Sequence, residues 1–447
     1  MSDYLSKVCE FVVGTDYDNI SPEVFEQAKK VLYDTIGVIA LGAQESEVKK
    51  LTRLLATPLP SGATLIGQKM KADPLVSALV NGTAGTWLEL DEGNQYARGH
   101  AGIHVVPAAL AVAEVVQASG KDLLTAIVLG YEVACRVGIA CKLRMTMHPH
   151  GSWGTVGAAC AVGKLMKVDE EQMKELINIS SSLTLATSRR TMLEGGTVRN
   201  AYAGVSGYMG ILAHKLLVSG FTGEADGLRS VFGTVVSDSF DAAVMTEELG
   251  SRYEIKRNYF KMHACCRYIH ATLDALYKIL ERQEEGKLDP QEIEKIEVET
   301  YSLAAQLSSQ QPQNMLAAKF SIPFSVATTI VNRSSGVESF TLEKVKDGVI
   351  RELAMRVVVT ENPEFTSMMP SRRPSRITVK LKDGRTYTET VFVNRGDQED
   401  SYSAEELERK FLSLASLVYG PERAKEVLEK TKNVETFENV RYYTDWL

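Results

Sequence analysis

The chain has 447 residues, beyond the roughly 250–300 at which one hydrophobic core stops growing, so two cores are expected. Apolar residues at 44% and charged residues at 24% exclude a disordered or fibrous chain. Fifty Lys and Arg against 57 Asp and Glu give a formal charge of −7, which excludes a broad basic face for nucleic acid and requires any anionic ligand to meet a local basic pocket.

The first residues, Met1-Ser2-Asp3-Tyr4-Leu5, lack a basic run followed by an apolar one, so a cytoplasmic location is expected. Ser21 as cap, Pro22 as first residue and Gly42 as left-handed stop bound a helix carrying Phe25, Ala28, Val31, Leu32 and Ile36 at helical spacing. Further helices are predicted at Leu75–Asp91, Val105–Ser119, Leu123–Arg136, Thr155–Met166 and Glu170–Ser182. The apolar run Val105 to Val116 is broken by Pro107 and Glu114 and is too short to cross a bilayer, so no membrane partner is expected. The Gly- and Ala-rich stretches 154–161 and 203–210 imply close approach of helices or of a ligand, since glycine costs about 1 kcal/mol against alanine in a helix.

After about Ala271 the pattern turns to strands at Ile293–Tyr301, Met355–Thr360, Arg376–Leu381 and Arg385–Val393, the last two joined through Asp383-Gly384. Helices at Ala271–Arg282, Ile322–Val331 and Leu342–Val349 lie among them, and helical spacing resumes from Ser403. The fold class is therefore mainly α with a smaller α+β domain: residues 1–270 and 399–447 form an all-helical domain built from both chain ends, and residues 271–398 an inserted α+β lid.

Four of the seven histidines stand in two motifs, His100-Ala101-Gly102-Ile103-His104 and His148-Pro149-His150-Gly151. Histidine gives and takes protons near neutrality, so His100 and His148 are candidates for chemistry, while His104 is read as packing or capping a helix and His150 as exposed. Asp91 and Glu92 end the predicted helix at 75–91; Glu92 is read as solvated and Asp91 as orienting a histidine or a basic residue. Arg199 and Arg267 can grip a carboxylate with paired donors, whereas Lys261 can bind or act as base, and the Arg189-Arg190 pair reads as a solvated surface. Asp91, His100 and His104 are conceivable as metal ligands, but no His-Glu-x-x-His pattern supports them and no metal is assigned. The six cysteines include no Cys-x-x-Cys pair and read as reduced thiols.

In order along the chain, Leu90-Asp91-Glu92-Gly93-Asn94, His100-Ala101-Gly102 with Val106-Pro107, His148-Pro149-His150-Gly151, Gly196-Thr197-Val198-Arg199, Gly220-Phe221-Thr222-Gly223, Lys261 through His270 and Phe320-Ser321-Ile322-Pro323-Phe324 resemble the MmgE/PrpD family. That family includes 2-methylcitrate dehydratases, cis-aconitate decarboxylases and iminodisuccinate epimerases. The resemblance implies a helical domain with an α+β lid, a homodimer, and a site between domains that uses neither metal nor cofactor. Carried over, Asp91, His100, His148, Arg199 and Lys261 line that site, with Asn94, His104, Cys266, Arg267, His270 and Phe324 as further substrate contacts. The chain departs from the family pattern at Ala101, where many relatives have proline, at Arg199, where many have lysine, and at Cys266, where decarboxylase-like members carry histidine.

The expected substrate is a small di- or tricarboxylate that loses or gains a proton next to a carboxylate. The roles expected are His148 or Lys261 as base, His100 as acid, Asp91 as orienter, and Arg199 with Arg267 as clamps. Dehydration comes first, then epimerisation, then decarboxylation, and then a carboxylate-binding protein without activity.

Overall fold

The computed structural model describes residues 3–283, 286 and 288–447. It is mainly helical with small sheets. The helices that position the site are α1 (Asp3–Gly14), α2 (Pro22–Gly42), α3 (Ser46–Leu55), α4 (Pro74–Trp87), α5 (Ala101–Val115), α6 (Gly120–Ala140), α7 (Gly154–Leu165), α8 (Glu170–Ser182), α9 (Arg189–Leu193) and α10 (Tyr202–Val218). Local chemistry fixes several of their starts. Pro22 opens α2 behind Ser21, Asp73 accepts the Leu75 N–H ahead of Pro74, and Asp169 with Gln172 forms a reciprocal capping box for α8.

Gly42 does not supply a left-handed stop. It ends α2 in ordinary helical geometry, and a Cβ there would strike the Ala84 carbonyl of α4. The Gly- and Ala-rich stretches serve the same purpose: a Cβ on Gly82 would lie 2.6 Å from Gly204 Cα, and one on Gly210 2.7 Å from Ala158 Cβ. Helices α4, α7 and α10 thus pack backbone against backbone, with glycine's helical penalty offset by dispersion contact. Helix α6 is long and apolar enough to cross a membrane, yet 94% of its apolar window is buried within the protein. It is a core helix, packed on α5 and α7.

The apolar interior divides into two clusters. One runs from Tyr4 to Phe260 and takes in Tyr402, Leu407, Phe411, Val427 and Leu447 from the chain's end. Helix Ala404–Tyr419 returns against α2, where Lys410 Nζ bonds Asp34 Oδ1 at 2.6 Å and the Leu90 carbonyl at 2.7 Å. The second cluster is drawn mainly from Ala264 to Val391 and also takes in Val38, Leu88, Leu90, Met192 and Leu414. It is built on a four-stranded sheet in the order 386–391, 375–381, 293–300, 357–361; the first two contacts are antiparallel and the last is parallel. The Asp383-Gly384 hairpin forms as expected, with Gly384 at φ 90°. Helix His270–Leu280 packs on this sheet, and helix Ile322–Asn332 packs on both. The predicted helix at 342–349 is split at Asp347, which caps a second helix, Gly348–Ala354.

The most consequential departure from the sequence reading is at the end of α4. The helix stops at Trp87, four residues before its predicted end, because Glu89 adopts a left-handed backbone with φ 56°. A non-glycine residue there costs about 1–2 kcal/mol. The gain is directional: residues 89–94 leave the helix and run through the interior, so the argument that Asp91 and Glu92 oppose a helix dipole does not apply.

Candidate functional site

Residues 88–104 form a buried loop ending in α5, with the short strand Gly93–Asn94 paired to Asn258–Tyr259. Beside it the His148–Gly151 turn precedes α7. Between these segments and side chains from the second cluster lies a cavity of about 50 Å³, where one water occupies roughly 10–15 Å³. Five arginines line it: Arg98, Arg189, Arg199, Arg267 and Arg373. Three histidines, His100, His148 and His150, form one side, and Tyr259, Cys266, Tyr268 and Phe320 contribute elsewhere. Glu89 is the one carboxylate in its wall.

Asp91 lies beneath His100. His100 Nδ1 sits 3.0 Å from Asp91 Oδ2 and 2.8 Å from the Glu92 carbonyl. Both neighbours can only accept, so Nδ1 carries the proton and Nε2 is the ring's remaining proton-transfer atom. Burial alone would push the Asp91 carboxyl up, but its interaction with His100, together with the Lys261 and Arg199 charges, outweighs it and holds it well below the usual carboxylate range.

His148 is buried and its pKa is driven well below the ordinary value, first by desolvation and then by the Arg199 charge, so the ring is neutral. Its Nδ1 lies 3.1 Å from the His150 backbone N–H and its Nε2 3.4 Å from Arg199 Nε. A neutral imidazole has one in-plane lone pair and cannot accept both. The shorter bond, from a fixed backbone donor, takes precedence, which leaves Nε2 as an N–H donor. His150 is not exposed as expected. It is fully buried between His100 and His148, with ring centroids 4.7 and 4.9 Å away, and neither of its nitrogens has a hydrogen-bond partner among the described residues. Asp91, His100 and His150 bring one oxygen and two nitrogens within 4.8 Å of one another, so His150, not His104, completes the trio that could take a cation.

Arg199, expected as a clamp, is already engaged. It pairs with Glu89 and lies 5.3 Å over the Phe320 ring. Lys261 Nζ is buried behind Glu89, 3.7 Å from its Oε2 and without a hydrogen bond among the described residues. Arg267 spends its terminal nitrogens on Asp397 at 2.6 Å, the Arg395 carbonyl and His270 Nδ1. The Cys266 thiol faces the cavity, and burial raises its pKa.

Besides Asp91 and Lys261, four expected contacts fall outside the cavity wall. Asn94 holds the 94–99 turn through Tyr96 and Ala97 N–H. His104 is in the first turn of α5, its Nδ1 2.5 Å from the His100 carbonyl, which is the packing role read from the sequence. His270 stands behind Arg267 and bonds the Cys265 carbonyl at 3.3 Å. Phe324 packs on Phe340 in the second cluster, and Phe320, four residues earlier, takes the place at the wall. Glu92, expected in solvent, is fully buried and accepts from Gly102 N, Tyr131 Oη and Asn258 Nδ2, its carboxyl pushed up to about 7, mainly by burial. Glu89, Tyr259, Tyr268 and Arg373 were not singled out from the sequence. Only Glu89 carried a signal, as a charge between Leu88 and Leu90.

Comparison with known proteins identifies the family. A model of the MmgE/PrpD N-terminal domain matches residues 6–241, and one of the MmgE/PrpD C-terminal domain matches residues 263–435. A cis-aconitate decarboxylase of Aspergillus terreus (strain NIH 2624 / FGSC A1156) is 24% identical over 453 residues, covering 95% of this chain and 92% of that protein. Those of Mus musculus and Homo sapiens are 23% and 24% identical over 96% and 97% of this chain, and over 90% and 92% of their own lengths. With the two domain models spanning most of its length, the chain belongs to the MmgE/PrpD family.

Proposed function

We propose that the cavity carries out metal-independent proton transfer next to a carboxylate of a small di- or tricarboxylate, and that the reaction is dehydration of a hydroxy-polycarboxylate. The observation that carries this reading is the pairing of His100 with a buried, ionised Asp91 at a cavity whose wall includes five guanidinium groups. An aspartate on Nδ1 fixes the tautomer and stabilises the imidazolium that forms when Nε2 takes a proton. This departs from the roles expected from the sequence: His100 acts as base as well as acid, and neutral His148, through its Nε2–H, is a donor to substrate oxygen and not the base. The C–H proton passes to His100 Nε2, the electron pair forms the double bond as the C–O bond breaks, and the departing oxygen takes a proton back from the imidazolium as water. His148 and the arginines bind the carboxylate whose enolate form carries the developing charge. The cavity is small for such a substrate, so residues 271–398 act as a lid that opens for exchange.

Decarboxylation is the second reading, favoured by the names of the relatives. Cys266, in place of the histidine of decarboxylase-like members, weighs against it.

The test is proton NMR in heavy water with 2-methylcitrate, citrate, cis-aconitate and aspartate-type dicarboxylates, with and without exhaustive chelation. Loss of water from a hydroxy-polycarboxylate, unchanged by chelation, is expected. Release of CO2 from cis-aconitate without dehydration would replace the first reading by the second, and deuterium exchange confined to amino-dicarboxylates would point to epimerisation. His100→Asn should abolish deuterium exchange, whereas His148→Gln, which keeps a donor near the Nε2 position, should slow turnover by less. The opposite order would restore His148 as base.

A further inference from the structure

Five arginines line the cavity, and their partners divide them. Arg199 is neutralised by Glu89, and Arg267 by Asp397 at 2.6 Å. Arg98 is exposed at the rim. Among the described residues, Arg189 and Arg373 have no carboxylate within ion-pair distance.

Arg373 is only 2% exposed. One of its terminal nitrogens donates to the Gln95 carbonyl at 2.9 Å, and its Nε is buried without a partner. Arg189 donates to the Leu303 carbonyl at 3.2 Å, and its Nε is likewise buried and unpartnered. Both guanidinium groups are set against one ring, that of Tyr268, at 5.8 Å for Arg189 and 5.4 Å for Arg373, and Arg373 also faces Tyr259 at 5.8 Å. Aromatic faces offset part of the cost of burying a cation, and they hold the guanidinium plane in a fixed direction. They do not satisfy an Nε donor or neutralise the charge. Arg267 Nε is unpartnered as well, but Asp397 meets its charge; at Arg189 and Arg373 the unmade Nε donors accompany charges that no carboxylate among the described residues meets, a deficit that an anion with two acceptor oxygens would cancel.

We propose that Arg189 and Arg373, held by Tyr268, are the carboxylate clamp of this cavity, and that Arg199 and Arg267 are internal struts. The proposal rests on the reading of the cavity as a carboxylate site, and it corrects which arginines do the gripping. Arg189 precedes the Gly196–Arg199 motif on α9, and Arg373 belongs to the second cluster's part of the chain, so a bound carboxylate would tie the two halves together.

The experiment is calorimetric titration of the full chain with tricarballylate, a tricarboxylate with neither hydroxyl nor double bond, which binds without reacting. Arg189→Lys and Arg373→Lys keep the charge and remove the planar paired donors. Each should weaken binding by about tenfold or more, while Arg199→Lys, whose guanidinium is held by Glu89, should change it by less than about threefold. Near-unchanged affinity in both Arg189→Lys and Arg373→Lys together with a tenfold loss in Arg199→Lys would overturn the clamp and restore Arg199. If Arg373→Lys fails to fold, Arg189→Lys, at a half-buried position, decides by itself. Absence of tricarballylate binding by the unaltered chain would remove the carboxylate reading of the cavity, and the clamp with it.

Discussion

Glu89→Gln probes the centre of the site without changing its shape. Glu89 is 1% exposed, and its carboxylate sits between Arg199 and Lys261. Gln keeps an acceptor for Arg199 but removes the charge, leaving a buried guanidinium uncompensated. Breaking a buried pair by removing one partner costs about 3–5 kcal/mol, and the retained acceptor places this change near 3 kcal/mol. An unfolding entropy of about 2.1 cal/mol/K per residue gives about 1 °C per kcal/mol for a chain of this length unfolding as one unit, so the melting temperature should fall by about 3 °C. The loss should also depend on pH. Lys319 is pushed down to about 8, mainly by burial, and Glu89 is the largest group opposing that shift. Removing Glu89 depresses Lys319 further, so the folded variant binds fewer protons than its unfolded chain over a wider range. Its stability relative to the unaltered chain should therefore recover as pH rises from 7 toward 9. Thermal melts of both proteins across that range measure both effects. A melting temperature within about 1 °C at pH 7, or a deficit that grows with pH, would refute the assignment of Glu89 as the internal counter-ion.

Glu92→Gln should change the pH profile in the other direction. With its folded pKa raised to about 7, Glu92 favours folding below its unfolded pKa near 4.3 and loses that contribution as pH rises through 7, so between pH 5 and 8 the unaltered chain should lose on the order of 3 kcal/mol relative to the variant in denaturant titrations. Parallel profiles would show that Glu92 does not titrate in this range. Gly82→Ala should destabilise even though alanine is the better helix former by about 1 kcal/mol, because the new Cβ meets Gly204 Cα at 2.6 Å and Gly204 N at 2.8 Å, backbone atoms that yield only if α4 and α10 move apart. A net loss of about 2 kcal/mol is expected, and a neutral or stabilising result would mean that the helix contact is looser than described.

The elements that the sequence by itself determined are those whose signals are local. Ser21 and Pro22 mark the start of α2, Asp383-Gly384 turns a hairpin through its own backbone, and apolar spacing assigns α2 and α8 without reference to any neighbour. The ordered motifs around Asp91, His100, His148, Arg199 and Lys261 likewise led to one region of the molecule, since motif order survives in the sequence whatever the distances become. Only the tertiary structure decided what each of those side chains does there. Glu89 turns inward because a left-handed residue ends α4 early, His150 is buried because two other histidines enclose it, and Phe320 replaces Phe324 at the wall through the direction of one short turn. The arginines show the reason most clearly. Every guanidinium reads alike in a sequence, and whether it grips a substrate or braces the fold depends on which carboxylate lies within about 4 Å, a distance set by residues more than a hundred positions away, as Glu89 is from Arg199 and Asp397 from Arg267.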